Sequence, residues 1–264
     1  MIGQKQLIKQ IDNLKDYPRF IIITGDRGSG KKTIAHYIAK KAGKIEWTLE
    51  DIKIANVRQM IEMSYNNYQS MVCIIPDVDE MSSPAQNALL KIVEEPPKNT
   101  YFIMTVQDIN NVLATIKSRA FVLNMQPYTD KEILKYVQKQ YNVDNKVYTE
   151  LCSTPGEVDL LHDIGVDKFV DFVDKVVDNI GTVGTANAFK VGQSIKLTNN
   201  ETDNGFDLKL FFKAFIRRCM QEEDAEYLRM VLITSDCLTK LAIKGVNKQF
   251  LFSTWLLKVR EIWN

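Results

Sequence analysis

The run Arg19-Phe20-Ile21-Ile22-Ile23-Thr24-Gly25-Asp26-Arg27-Gly28-Ser29-Gly30-Lys31-Lys32 sets the architecture of this chain. Its first six residues read as a buried strand, and a glycine loop then opens a helix from Lys32 to about Ala42. Strand, glycine loop and helix in that order form the start of a parallel α/β crossover. The loop fits the GxxxxGK pattern, and its place between strand and helix gives the pattern weight. Glycines let backbone amides turn inward around an anion, Lys31 can reach terminal phosphates, and the helix start adds a favourable dipole. Gly25, Gly28, Ser29, Gly30, Lys31, Lys32 and Thr33 are therefore the candidate nucleotide-binding residues, against the plainer alternative of a turn with no ligand.

Working outward, further strands are expected at Met71–Ile75, Tyr101–Val106 and Phe121–Leu123. Four strands with helices between them predict an α/β core, a parallel sheet in a three-layer sandwich. After Gln126-Pro127-Tyr128 the strand signals stop, and Ile133, Leu134, Val137 and Tyr141 follow helical spacing. The expected division is a core over 1–127, a small helical lid over 128–166 and an all-helical domain over 167–264. Polar and glycine residues cluster at Val191–Gly205, which reads as a loop.

With 264 residues and 45% hydrophobic residues the chain can build real cores. No apolar run approaches the roughly 20 residues of a membrane helix, and the start MIGQKQLIKQ lacks a signal-peptide centre, so a cytoplasmic protein with no membrane partner is expected. A net charge of +1 leaves no global nucleic-acid footprint. Cys73, Cys152, Cys219 and Cys237 are scattered, without a CxxC pair, which predicts buried small hydrophobes rather than zinc ligands. His36 and His162 read as incidental helix residues.

Ser83-Pro84-Ala85-Gln86-Asn87-Ala88-Leu89-Leu90-Lys91-Ile92-Val93-Glu94-Glu95-Pro96-Pro97 is a well-punctuated amphipathic helix. Ser82, Ser83 and Pro84 start it, Ala88, Leu89, Ile92 and Val93 form one apolar face, and the proline pair stops it. This stretch resembles the AxNALLKxLEEPP segment that follows the Walker B strand in bacterial DNA polymerase III clamp-loader subunits of the AAA+ family. Ile2-Gly3-Gln4, the phosphate loop, Val57-Arg58, Ser118-Arg119 and Gln126-Pro127-Tyr128 fall in that family's order over roughly residues 1 to 165.

The resemblance brings expectations, and several are of loss. In active members the residue after the loop lysine is Ser or Thr, holding magnesium, but here Lys32 precedes Thr33. One residue on a helix turns a side chain by roughly 100°. This leaves ATP or ADP retention and an empty site both open, and it puts magnesium binding in doubt. The family register puts Pro76 and Asp77 where the metal acid and the catalytic glutamate belong, so the Walker B site is degenerate; a shifted reading would recruit Asp79 and Glu80. Gly156, in Cys152-Ser153-Thr154-Pro155-Gly156-Glu157-Val158, stands where active subunits carry a sensor arginine. Ala114-Thr115-Ile116-Lys117-Ser118-Arg119-Ala120 resembles the T(I/L)xSRC element, whose arginine serves a neighbour's nucleotide in trans. Its plainer reading is a surface salt bridge.

That combination looks like the delta-prime kind of clamp-loader subunit. It implies a hetero-pentamer with other clamp-loader subunits, a sliding clamp and primer-template DNA as partners, and weak or absent hydrolysis of its own. An active motor subunit and a nucleotide-independent scaffold remain as alternatives. The helix carrying Leu208, Phe211, Phe212, Phe215 and Ile216 reads equally as a collar contact or an internal core face. Ser82 and Ser83 read as helix caps or as a contact to DNA phosphates.

Overall fold

The computed structural model describes residues 2–181, 207–241, 243 and 245–263. The expected loop at 191–205 lies outside the described residues. Five parallel strands, β1 (Phe20–Thr24), β2 (Ile45–Thr48), β3 (Met71–Ile75), β4 (Thr100–Val106) and β5 (Phe121–Asn124), form one sheet in the order β2-β3-β4-β1-β5. The expectation of four strands misses β2. Ile45-Glu46-Trp47-Thr48 pairs only with β3 and is half exposed, so its sequence has none of the continuous apolar character of a central strand.

Alternation along the inner strands sorts two cores. Phe20, Ile22, Cys73, Ile75, Phe102 and Met104 face helices α3 (Ile54–Asn66) and α4 (Ser83–Glu94), with Val57, Met60, Leu89 and Ile92 packed in. On the other face Ile21, Ile23, Val72, Ile74 and Ile103 meet Leu7 and Ile11 of α1 (Lys5–Asp12) and Ile34, Ala35 and Ile38 of α2 (Lys31–Lys41). The sandwich is therefore three-layered, and a period of two along each strand is its cause.

The chain divides into two compact units, Met1–Tyr136 with Ser153–Gly156, and Val137–Cys152 with Glu157–Asn264. The first contains the sheet, the short helix α5 (Ala114–Lys117) and most of α6 (Asp130–Tyr141). The second contains α7 (Val147–Leu151), most of α8 (Pro155–Ile164), α9 (Val166–Asn179), α10 (Leu208–Cys219), α11 (Ala225–Leu241) and α12 (Lys248–Arg260). Its core is aromatic. Trp255 packs edge-on against Phe215 at 4.9 Å and Phe211 at 5.3 Å, stacks with Phe252, and donates its indole N–H to Thr234 Oγ1 at 2.9 Å. Phe211, Phe212 and Phe215 are spent on this interior, so the reading of that stripe as a collar contact gives way to the core reading. Leu208 is buried with them, while Ile216 is half-buried.

All four cysteines are buried free thiols, as expected. Burial pushes Cys73, Cys152 and Cys219 up to about 12 and raises Cys237. Among the described residues no helix is long and apolar enough to cross a membrane. His36 meets Glu46 at the surface, and His162 stacks on Tyr141 and meets the Tyr148 hydroxyl at 2.9 Å.

Candidate nucleotide site and the arginine at the far end of the sheet

The phosphate loop leaves the carboxyl end of β1 and enters α2, whose cap is Gly30. Gly28 at φ 74 and Gly30 at φ 91 take left-handed backbone that a side chain would strain. Each of the six successive carbonyls from Gly25 to Gly30 accepts a hydrogen bond. Lys31 Nζ donates to Gly25 at 2.7 Å and Asp26 at 2.9 Å, Thr154 Oγ1 to Arg27 at 3.1 Å, and the Gly156 amide to Gly28 at 3.0 Å. The Tyr128 hydroxyl donates to Ser29 at 2.8 Å and the Ile34 amide to Gly30 at 3.0 Å. With the carbonyls held outward, the amides of Gly28, Gly30 and Lys31 have no protein acceptor among the described residues. Ser29 Oγ is buried without a hydrogen-bond partner. Orphan donors around a glycine loop at a helix start fit the phosphates of a nucleotide.

The residues at the family's metal positions offer few ligand atoms. Lys32, at the position of the metal-binding hydroxyl, is exposed, and so is Thr33. Pro76 is buried and has no ligand atom in its side chain. Asp77 sits in the left-handed region at φ 48, its amide donating to Thr105 Oγ1 at 3.2 Å. Asp79 is only 4% exposed, and its Oδ2 accepts from the amides of Gln107 at 3.0 Å and Asp108 at 2.9 Å. Glu80 is exposed and accepts from the Gln107 side chain at 3.3 Å. The shifted acids thus brace the segment after β4. Lys31, 7% exposed, is held below the usual lysine range by burial, against the attraction of Asp77, Asp79 and Asp26.

Two distant motifs meet beside the loop. The Gln4 side chain donates to the Gln126 carbonyl at 2.7 Å and accepts from its amide at 2.8 Å, and a Cβ on Gly3 would lie 2.7 Å from the Tyr128 ring. Only glycine admits that approach.

Arg119 lies elsewhere. It precedes β5, and β5 runs parallel to β1 with Ile21 opposite Phe121 and Thr24 opposite Asn124. The phosphate loop follows the carboxyl end of β1, whereas Arg119 sits before the amino end of β5. A five-residue strand spans about 16 Å, more than an arginine side chain reaches. Arg119 is exposed and its guanidinium donates to the Thr115 carbonyl of the preceding helix α5 at 3.2 Å, with no salt bridge among the described residues. The ion-pair reading therefore lacks its partner.

Gln86 was not foreseen. Buried in α4, it donates to the Asn111 carbonyl at 3.0 Å and accepts from the Leu113 amide at 3.0 Å, fixing the turn that leads into α5 and Arg119. A polar residue at an inward helical position was the available signal. Ser82 accepts from the Ala85 amide at 3.4 Å and so acts as a cap; Ser82 and Ser83 are both exposed at the same helix start.

Residues 43–129 match the family described as DNA polymerase III, delta subunit. The gamma subunit of DNA polymerase III from Buchnera aphidicola of Acyrthosiphon pisum is 25% identical over 185 residues, 56% of this chain and 51% of that relative. The delta' subunit from Yersinia pestis is 38% identical over 73 residues, 26% of this chain and 22% of the relative. The chain spans about half or less of the length of these relatives. Among solved structures, a DNA polymerase III gamma subunit-related protein of Thermotoga maritima has a TM-score of 0.51 at 18% identity, over 98% of this chain and 100% of the other. The RuvB Holliday junction branch migration motor of the same organism has a TM-score of 0.53 at 15% identity, over 97% and 88%. At such identities the structures speak for the fold alone. Over part of its length the chain is thus similar in sequence to delta, delta' and gamma subunits of DNA polymerase III, and it shares with the solved structures a parallel sheet entered through a phosphate loop.

Proposed function

We propose that this chain is a delta-prime-like clamp-loader subunit, one member of a hetero-pentamer that helps place a sliding clamp on primer-template DNA during replication in the cytoplasm. The observation that carries the reading is Arg119, exposed, without a carboxylate partner among the described residues, and a strand length away from its own phosphate loop. A guanidinium so placed serves a phosphate presented by a neighbouring chain. Its planar fork suits the oxygens of a transferring phosphoryl group, where it offsets developing charge.

The chain's own nucleotide site is read as binding without efficient turnover. A bound nucleotide would supply the phosphates that ATP or ADP places among the amides of Gly28, Gly30 and Lys31, with the Lys31 ammonium beside them. Neither Pro76 nor Lys32 offers a magnesium ligand, and Asp79 is engaged by two amides. That engagement is why the motor-subunit reading ranks second. In this account residues 1–127 form the core, 128–166 the lid and 167–264 the collar, and Ser82 and Ser83 offer a helix start to DNA phosphates without sequence selection.

The test is ATP turnover by cognate motor subunits assembled with clamp, primed DNA and this chain, wild type against Arg119→Ala. Turnover is expected to fall about 10³-fold with assembly intact. Unchanged turnover in an intact assembly overturns the trans role and leaves a scaffold, while steady hydrolysis by the isolated chain would favour the motor reading.

A further inference from the structure

The start of α8 is fastened to the phosphate loop by a contact between two glycines. A Cβ on Gly156 would lie 2.6 Å from Gly28 Cα, and one on Gly28 would lie 2.8 Å from Gly156 Cα. Real Cβ atoms do not approach backbone so closely, so a side chain at either position forces the two segments apart. Gly28 needs its left-handed φ of 74 in any case, but Gly156 does not have a positive φ. The contact alone explains a glycine there. Two hydrogen bonds flank the crossing, Thr154 Oγ1 to the Arg27 carbonyl at 3.1 Å and the Gly156 amide to the Gly28 carbonyl at 3.0 Å. Thr154 is 2% exposed, so water competes little for its hydroxyl.

We propose that Thr154 and Gly156 are positioning residues that latch residues 153–156 onto the phosphate loop, fixing the outward carbonyls of Arg27 and Gly28 whether or not nucleotide is present. The position from which a lid could report on a terminal phosphate is thereby tied to the loop backbone instead. The 153–156 segment then does not respond to the γ-phosphate: ATP and ADP leave it in one place. This goes beyond the clamp-loader reading and holds or fails independently of Arg119.

Amide hydrogen exchange on the full chain tests it, following residues 26–31 and 153–157 together. Gly156→Ala is expected to raise exchange in both segments by about five- to tenfold, the scale of one or two lost hydrogen bonds, with the β-sheet amides unchanged. Thr154→Val should do the same more weakly, and Thr154→Ser, which keeps the hydroxyl, should restore protection. Thr154→Val against Thr154→Ser decides the matter if Gly156→Ala does not fold. Exchange at 26–31 that stays at the wild-type rate in both Gly156→Ala and Thr154→Val overturns the latch. Exchange at 153–157 in the wild type that differs between saturating ATP and ADP overturns it as well.

Discussion

The two ends of one parallel sheet differ in where their polar groups are directed. At the carboxyl ends of β1 and β3, Lys31 holds two loop carbonyls, Asp79 holds two amides, and the six loop carbonyls are all engaged within the chain. At the amino end of β5, Arg119 stands exposed, its guanidinium donating to the Thr115 carbonyl of α5. Groups satisfied inside the chain hold geometry. A cation left at the surface is available to another molecule, and the contrast separates residues that hold the loop from one whose charge is open to solvent.

The largest expected effect tests the exposed end. Arg119→Lys keeps the charge but loses the planar fork, and in the assembled complex it should recover little of the roughly 10³-fold turnover lost by alanine. Equal thermal stability of the isolated wild type and variant would complete the contrast; a clear loss of stability would return Arg119 to the internal class.

Asp79→Ala tests the other end. Removing a buried carboxylate that accepts two amides should cost about 3 kcal/mol in urea unfolding and raise hydrogen exchange at Gln107 and Asp108. A loss well under 1 kcal/mol would free Asp79 for the metal role that the shifted reading gives it. A smaller effect of about 1 kcal/mol is expected for Ser82→Ala, through the lost cap of α4.

The pH dependence of Lys31 sharpens the same end. Its folded pKa lies below the usual lysine value, so in the alkaline window between the two values the unfolded chain binds more protons than the folded one. Below that window the cost of burying the ammonium is fully present, and it is relieved as pH rises through the window. Stability should therefore increase with pH there, and Lys31→Met should flatten that part of the profile. An unchanged slope in the variant would show that another group sets it.

Much of this was legible in the chain because the signals are local. Met71–Ile75 is a strand as read, and Phe121–Leu123 extends by one residue to Asn124. The helix after the loop starts one residue earlier than expected, at Lys31, since Gly30 takes the cap. Edge strand β2 was missed because Glu46 and Thr48 interrupt its apolar character, and edge position alone explains that. The aromatic stripe of α10 could not be assigned from spacing, because a period of 3.6 marks a buried face without naming what buries it.

The sequence by itself determined the phosphate loop, the punctuated helix before Pro96-Pro97, the proline that follows the strand Met71–Ile75 and the Ser118-Arg119 element before the last strand, since each is written in residues adjacent along the chain. Tertiary structure alone decided that Asp79 and Gln86 brace the segment leading to Arg119, that Gln4 meets Gln126, and that Gly156 crosses Gly28. Those pairings join residues up to 128 positions apart, and no local propensity encodes which partner a buried polar group or a bare backbone will find.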